Sequence, residues 1–319
     1  MPKVYDKANA RTKPDWLKIR LKGNEEYADV ARIVREHHLH TICSSGMCPN
    51  KAECWSRRTA TFMILGDVCT RACRFCATKS GRALPPDPEE PERVAQSVAL
   101  MGLRYAVITS VTRDDLPDGG AEHWAETVRA IKRRNPQTAV ELLIPDFDGR
   151  KELIDIVLAA GADVVGHNVE TTRRLTPLVR ARAKYETSLA TLRHIAESGV
   201  KAKSGIMVGL GETDDEIIET LADLREVGCR IVTLGQYLRP TEQHYPVAEF
   251  ITPEKNKELI RIISSIVLIA VIIIPIASFD LFGAMEEIEL EIEEVEVYTK
   301  EEHKHSNNTL KIGAVLCDA

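Results

Sequence analysis

Short apolar runs rich in β-branched residues alternate with amphipathic patterns along the middle of the chain, and this alternation restricts the possible folds most. The runs lie at 61–66, 106–111, 140–146, 164–170, 201–209 and 231–237. Between them stand patterns typical of amphipathic helices, such as AEHWAETVRAIKRRN and YETSLATLRHIAESG. Repeated strand–helix units imply parallel strands joined by right-handed crossovers. The sequence therefore predicts an α/β fold, either an open doubly wound sheet or a full or partial (β/α) barrel.

Polar residues are concentrated where the predicted strands end. In both folds, functional groups collect at the carboxyl ends of the parallel strands. The residues expected at that edge are Asp67, Cys69 to Cys76, Ser110 to Asp115, Asp146, His167 to Glu170, Gly209 to Glu212 and Gln236 to Arg239. We expect an active site there.

Cysteine usage points to metal binding. Of the eight cysteines, six lie between Cys43 and Cys76. Disulfide scaffolds are usually small and secreted, whereas this chain has 319 residues and its first residues contain no apolar signal region. We therefore expect a cytoplasmic protein whose clustered cysteines bind metal. The net charge of −6 argues against broad binding to nucleic-acid phosphates.

The segment DVCTRACRFC carries the first cysteine triad, formed by Cys69, Cys73 and Cys76. A [4Fe–4S] cluster normally takes four thiolates, so a protein that supplies three leaves one iron open. The segment CTRACRFC resembles the CxxxCxxC signature of the radical S-adenosylmethionine (SAM) superfamily. That resemblance implies that the open iron binds the amino and carboxylate groups of SAM. A zinc knuckle completed by histidine is the alternative, although no histidine lies within the loop.

A second triad, Cys43, Cys48 and Cys54, has a different spacing and is therefore no simple duplication. A second cluster would relay electrons or donate sulfur. With both triads, the chain resembles the lipoyl synthase family from about Lys13 to Lys255; a relative of biotin synthase is a rival that the second triad disfavours. The segments that carry the resemblance are KPDWLK (13–18), HTICSSGMCPNKAECW (40–55), TATFMILGDVCTRACRFC (59–76), VITSVTRDDLPDGGA (107–121) and LGQYLRPTEQHYPV (234–247).

The resemblance to lipoyl synthases implies a partial (β/α)6 barrel of the TIM type, two [4Fe–4S] clusters and SAM. The implied substrate is an octanoyl chain on a lipoyl carrier domain, as in 2-oxoacid dehydrogenase subunits or the glycine cleavage H protein. SAM-derived deoxyadenosyl radicals remove hydrogens from C6 and C8, and the auxiliary cluster supplies sulfur. These C–H bonds carry no acidic proton, so acid–base catalysis does not reach them. A low-potential electron donor is also implied.

Candidate SAM contacts follow three of the predicted strands. The segment GIMVGLGE resembles a GxIxGxxE motif near the adenosine site of the superfamily, which makes Gly209 and Glu212 candidates. A glycine turn before a helix explains most of the same pattern. Asn168 and Glu170 are two residues apart and point the same way, which suits either SAM or a structural hydrogen-bonded pair. Arg239 is a candidate partner for a carboxylate. No catalytic residue is assigned from the sequence.

The predicted domains are an N-terminal extension with the auxiliary-cluster cysteines at 1–58, a radical SAM barrel at 59–255 and a divergent tail at 256–319. In the tail, the uncharged stretch from Ile262 to Phe279 is long enough to span a membrane. Pro275 and the lack of a basic flank weaken that interpretation, and a partner-dependent extension is favoured over membrane contact.

The tail also lacks a feature of the family that the chain resembles. Lipoyl synthases take the fourth auxiliary ligand from a serine in a C-terminal Arg-Ser-Ser-Tyr motif, which is absent here. Either the tail is an alternative end or the auxiliary site is rebuilt, with Cys317 as one available thiol. We therefore expect SAM cleavage to persist and sulfur insertion to be impaired. The other functional hypotheses are a different sulfur-inserting radical SAM enzyme and a non-catalytic iron–sulfur or zinc protein.

Overall fold

The computed structural model describes Pro14, residues 24–252 and Lys255. Within these residues the strands form one seven-stranded sheet and a separate two-stranded sheet. In chain order the strands are β1 (His40–Thr41), β2 (Thr61–Ile64), β3 (Val68–Cys69), β4 (Lys79–Ser80), β5 (Tyr105–Ser110), β6 (Ala139–Leu143), β7 (Val164–Gly166), β8 (Lys201–Val208) and β9 (Ile231–Gln236). The six predicted apolar runs correspond to β2 and β5 to β9.

Strand order decides between the two folds that the sequence allows. The strands β2, β5, β6, β7, β8 and β9 are parallel and neighbour one another in this order. A doubly wound sheet reverses direction at a switch point, whereas this sheet adds each strand on the same side. Among the described residues β2 is not paired with β9, so the strands form an open barrel. The predicted partial (β/α)6 barrel is confirmed.

Three helices precede the first parallel strand, and the others lie in the connections between the parallel strands. In chain order they are α1 (Glu25–Glu36), α2 (Ile42–Ser45), α3 (Lys51–Ser56), α4 (Glu90–Met101), α5 (Ala121–Arg134), α6 (Lys151–Leu158), α7 (Thr176–Val179), α8 (Tyr185–Glu197) and α9 (Asp214–Glu226). A capping box between Thr213 and Glu216 starts α9, because each residue's side chain satisfies a backbone N–H of the other. Apolar faces of α4, α5 and α6 pack on the sheet around the fully buried Trp124.

The segment before β2 is continuous with the barrel. Strand β1 pairs antiparallel with β2, so it extends the edge of the sheet. Its neighbours α1, α2 and α3 pack against the same core through Val30 and Ile33 of α1, Cys43 of α2 and Trp55 of α3. The boundary at 58/59 stays a prediction, and the predicted tail, 256–319 with its apolar stretch, lies outside the described residues. In the part that is described, no helix is long and apolar enough to cross a membrane.

Candidate active site

The cysteine loop, residues 67–80, leaves the carboxyl end of β2 and is pinned at both ends. Strands β3 and β4 pair in parallel, which joins the start of the loop to its end. Upstream, the backbone of Leu65 is held in a left-handed conformation with φ of 68°. Its N–H donates to Glu90 at 2.8 Å, and its carbonyl accepts from the buried Arg113 at 3.3 Å. Charged side chains from two other elements therefore fix the direction in which the loop departs.

The three thiols of this loop lie close together, as the spacing predicts. Cys69 Sγ accepts hydrogen bonds from the backbone N–H groups of Arg71 and Thr112, at 3.4 and 3.3 Å. Burial, with a smaller contribution from the neighbouring Cys73 and Cys69, raises the pKa of Cys76 to about 11. Burial also raises the pKa of Cys73. These thiols are therefore protonated at neutral pH until a metal displaces their protons.

The second half of the loop is held by segments from the far side of the barrel. The N–H of Arg74 donates to the carbonyl of Val179 at 2.7 Å, and its carbonyl accepts from the N–H of Tyr245 at 2.7 Å. His244 Nε2 lies 3.0 Å from the carbonyl of Cys76 and must donate to it, since a carbonyl only accepts. An apolar cluster around Phe75 covers this half of the loop, and the other members of that cluster are Leu175, Val179, Met207, Leu210 and Tyr237.

A buried ionic cluster holds the first half of the loop. The guanidinium of Arg71 contacts both carboxylate oxygens of Asp114 at 2.9 Å and those of Asp146 at 3.0 and 2.8 Å. Asp114 follows β5 and Asp146 follows β6, so three strand ends meet at one arginine. The sequence placed both aspartates at the strand edge, but the role of Arg71 was missed. The sequence did contain a signal for this role. Arg71 lies between two candidate metal ligands, and acidic residues follow the neighbouring strands.

Asn168 and Glu170 lie beyond the end of β7, beside the cysteine loop. Asn168 is 5% exposed, and its Nδ2 has no hydrogen-bond partner among the described residues. Glu170 has φ of 68°, and its charge contributes to raising the pKa of Cys73. Its backbone bridges to Ile206 on β8. A buried amide nitrogen without an acceptor is costly, and a polar ligand that accepted from Asn168 would remove this cost. SAM contacts at these two residues stay a prediction.

The segment after β8 folds back on itself. The carboxylate of Glu212 accepts from the backbone N–H of Gly209, and from that of Leu210 at 2.9 Å. Gly209 has φ of 96°, and a Cβ there would lie 2.3 Å from the carbonyl oxygen of Glu249. The backbone conformation and the nearby carbonyl therefore both require glycine at position 209. This supports the interpretation of GIMVGLGE as a glycine turn before a helix. Whether Gly209 and Glu212 also contact SAM stays a prediction.

Arg239 is already engaged by its own turn. Its Nε donates to the carbonyl of His244 at 2.9 Å, and its Nη2 donates to the carbonyl of Glu242. These bonds shape the turn that presents His244 to the cysteine loop. A role of Arg239 in binding a carboxylate stays a prediction, and it would require these two bonds to be exchanged.

His167 is a buried titratable group beneath the ionic cluster. Its Nδ1 lies 2.9 Å from the carbonyl of Ile144 and its Nε2 lies 2.9 Å from the hydroxyl of Ser188. Burial, together with the positive charge of Arg180, lowers the pKa of His167 to about 4. Asp146 opposes this shift, whereas Arg71 adds to it. The imidazole is therefore neutral at neutral pH and acts as a hydrogen-bonding group.

The second triad lies around α2 and α3, near the edge strand β1. Cys43 is buried, and Cys54 has its pKa raised to about 11 by burial and then by Cys43. The thiols of Cys43 and Cys54 therefore lie within range of an electrostatic interaction. The sulfur of Cys48 accepts from the N–H of Asn50 at 3.4 Å. The assignment of these three cysteines to a cluster stays a prediction.

The donor set of the cysteine loop fits an iron–sulfur cluster better than a single metal ion. In the described part of the chain, no three His, Cys, Asp or Glu side chains are grouped tightly enough for one ion. A cubane cluster does not need such a group, because each thiolate binds a different iron. Backbone N–H donors to Cys69 Sγ also suit a thiolate ligand, since hydrogen bonds to sulfur tune these clusters. The residues at Cys69, Cys73 and Cys76 therefore fit the group.

Comparison of the fold with solved structures gives the same architecture. The crystal structure of methylornithine synthase superposes with a TM-score of 0.52 at 14% sequence identity, covering 78% of this chain and 74% of that one. The crystal structure of HydG, a maturase of the [FeFe]-hydrogenase, gives a TM-score of 0.51 at 13% identity, covering 74% and 60%. At such identities the likeness concerns the fold alone.

Sequence comparison defines the class of the protein and then its family. Residues 63–224 match the model of the Radical SAM superfamily, so the chain is a radical SAM protein, a class that uses a [4Fe–4S] cluster and SAM. It is 62% identical over 243 residues to the lipoyl synthase of Bacteroides fragilis, covering 76% of this chain and 84% of that one. The lipoyl synthase of Porphyromonas gingivalis is 57% identical over 248 residues, covering 77% and 88%. The chain belongs to the lipoyl synthase family.

Proposed function

We propose that this chain inserts two sulfur atoms, at C6 and C8, into an octanoyl chain carried by a lipoyl carrier domain. The observation that carries the proposal is the cysteine loop, whose three thiols lie at the carboxyl edge of a partial barrel in a lipoyl synthase sequence. When bound, the first cluster and SAM supply an alkyl radical able to attack an unactivated C–H bond. The protein has to position the substrate and keep water away from it.

The residues around the loop are suited to those two tasks. Cys69, Cys73 and Cys76 would each bind one iron and leave the fourth iron for SAM. The buried amide nitrogen of Asn168, which lacks an acceptor among the described residues, would donate a hydrogen bond to a polar group of SAM. The apolar cover around Phe75 would exclude water from this side. Glu170, Gly209, Glu212 and Arg239 complete the proposed SAM site.

A second [4Fe–4S] cluster at Cys43, Cys48 and Cys54 belongs to the same proposal. It is supported by the resemblance of this triad to the family and by the electrostatic interaction between Cys43 and Cys54. Its fourth ligand is the open point, because the Arg-Ser-Ser-Tyr motif is absent from the sequence. We therefore propose that the first cluster forms and cleaves SAM, whereas sulfur insertion is impaired.

The partners follow from the proposed reaction. They are octanoylated lipoyl domains, including the H protein of glycine cleavage, and a low-potential electron donor. A cytoplasmic location is part of the proposal, because a reducing compartment keeps cysteine ligands available for iron.

Anaerobic iron and sulfide analysis tests the proposal first. The reconstituted, reduced chain is compared with a Cys69/Cys73/Cys76 triple alanine variant. About eight irons per chain, falling to about four in the variant, support both clusters. About four irons, falling to none, mean that only the first cluster forms. No iron in the wild-type chain overturns the proposal.

Two activity assays then separate the remaining functions. Release of methionine and 5′-deoxyadenosine under reducing conditions distinguishes a radical SAM enzyme from a non-catalytic iron–sulfur protein. Mass spectrometry of an octanoylated H protein after the reaction detects sulfur insertion. SAM cleavage without sulfur insertion is the result expected for a chain that lacks the serine motif. Normal lipoyl product contradicts the proposed impairment.

A further inference from the structure

Arg71 is the centre of a charge cluster that joins three loops of the barrel mouth. It lies inside the cysteine loop, two residues after Cys69. Its guanidinium contacts Asp114 through Nε and Nη2 and Asp146 through Nη1 and Nη2, so each carboxylate receives a two-point contact. Such paired contacts fix orientation as well as distance.

The cluster differs from an ordinary surface ion pair in its burial. Arg71 is 8% exposed and the side chain of Asp146 is 2% exposed. The hydrogen bond from Arg71 outweighs burial and holds the pKa of Asp146 below its usual range. Asp146 is therefore charged, and Arg71 is its ion-pair partner. Asp114, whose side chain is 19% exposed, also lies 3.8 Å from Arg182.

A second contact couples the same part of the loop to the end of β5. The hydroxyl of Thr70 donates to the carbonyl of Thr112 at 2.9 Å, and the N–H of Asp114 donates to that hydroxyl at 3.1 Å. The N–H of Thr112 in turn donates to Cys69 Sγ. The segments that follow β5 and β6 are thus linked to the part of the loop that carries Cys69. Arg71 makes this link to both segments, and Thr70 makes it to the segment after β5.

We propose that Arg71 is a positioning residue, which fixes the Cys69 corner of the cluster-binding loop against the ends of β5 and β6. The inference rests on the proposed cluster at Cys69, Cys73 and Cys76. It implies that different residues hold the two halves of the cysteine loop. Arg71 holds the Cys69 corner, and His244 with Val179 holds the half that carries Cys73 and Cys76.

Loss of the guanidinium should therefore act unequally on the three thiols. Without it, Asp146 is left buried without its ion-pair partner, which is among the more disruptive single changes a folded protein undergoes, whereas Asp114 keeps only its longer ion-pair contact with Arg182 at 3.8 Å. The Cys69 corner should loosen, whereas Cys76 keeps its own anchors. A cluster should still form but sit differently with respect to SAM.

The first test measures thiol reactivity in the apoprotein, so it does not depend on a loaded enzyme. Alkylation of each cysteine by iodoacetamide is followed by peptide mass spectrometry in wild type and Arg71→Met. We expect Cys69 to react roughly tenfold faster or more in the variant, on the scale of a broken buried ion pair. Cys76 should change less than Cys69. The matched control is Lys79→Met, since Lys79 pairs with Asp67 in the same loop but is 75% exposed.

The second test uses the reconstituted enzyme. Electron paramagnetic resonance of the reduced cluster with and without SAM reports how SAM sits at the open iron. We expect Arg71→Met to retain the iron of the first cluster, to lose the SAM-induced change in the spectrum and to raise the KM for SAM. Arg71→Lys keeps the charge but not the two-point contacts, so it should fall between wild type and Arg71→Met.

Specific results would overturn the inference. One is a Cys69 alkylation rate in Arg71→Met equal to that of wild type. Another is an equal rise at Cys69, Cys73 and Cys76 with a lower melting temperature, which would show a general loss of stability. If Arg71→Met does not fold, Asp146→Asn, which removes one charge and retains the shape, must show the same preference for Cys69. Absence of iron from the wild-type chain would instead reject the proposed function, independently of the apoprotein result.

Discussion

Replacement of Gly209 by alanine tests how the segment after β8 is held. Gly209 has φ of 96°, and a Cβ would lie 2.3 Å from the carbonyl oxygen of Glu249 and 2.5 Å from Gln236 Nε2. Neither neighbour moves freely, because Gln236 Nε2 donates to that same carbonyl at 3.1 Å and Gln236 Oε1 accepts from the N–H of Ile251 at 2.7 Å. The methyl group must therefore displace the backbone at Glu249 together with its hydrogen bonds.

The expected cost has two parts. A left-handed backbone costs a non-glycine residue about 1–2 kcal/mol. Overpacking against a fixed neighbour adds about 1–3 kcal/mol. We therefore expect Gly209→Ala to lower the free energy of unfolding by about 2–5 kcal/mol. The matched control is Gly161→Ala, because Gly161 has φ of 84° but nothing within 4 Å of its Cβ position. Gly161→Ala should show only the cost of the left-handed backbone, about 1–2 kcal/mol.

Urea unfolding followed by circular dichroism measures both variants. The midpoint should fall at an unchanged m-value, and further for Gly209→Ala than for Gly161→Ala. Equal shifts in the two variants would refute the steric argument, since only the backbone conformation would then matter. A change in m-value would point to an altered native or denatured state instead.

Three further predictions concern buried polar groups. The buried His167 has a pKa lowered to about 4, so the unfolded chain takes up a proton first as the pH falls; the free energy of unfolding should fall by on the order of 3 kcal/mol between pH about 6.5 and about 4. Lys203→Met breaks the buried 2.6 Å ion pair with Glu141 and should cost about 3–5 kcal/mol, measured by urea unfolding. His244→Ala removes one net hydrogen bond of about 1 kcal/mol and should speed alkylation of Cys76 in the apoprotein about fivefold.

Each of these has its own control. His167→Gln should flatten the stability profile within the stated pH window, and an unchanged slope would show that other groups produce it. Glu141→Leu combined with Lys203→Met should recover much of the lost stability, because no buried charge is left without its partner. If the double variant is as unstable as the single one, the loss is due to packing. For His244→Ala, alkylation of Cys69 is the internal reference and should stay near wild type.

Strand–helix alternation and the cysteine spacing could be read from the sequence because both are local properties. Hydrophobic periodicity and β-branched content predicted the six parallel strands. Cys69, Cys73 and Cys76 lie in one loop after the first parallel strand, so their proximity followed from spacing alone. The same local signals could not choose between an open doubly wound sheet and a partial barrel.

The tertiary structure decided the matters that depend on distant parts of the chain. Strand order is a property of pairing, and it selected the partial barrel. Arg71 meets Asp146 across 75 residues, and His244 meets Cys76 across 168 residues, so neither contact leaves a periodic trace in the sequence. The sequence made Arg239 a candidate partner for a carboxylate, whereas in the structure its guanidinium donates hydrogen bonds to carbonyl groups of its own turn. The sequence thus determined which residues are candidates for the chemistry, whereas the fold determined which residues hold them in place, because contacts between strand ends exist only once the sheet has formed.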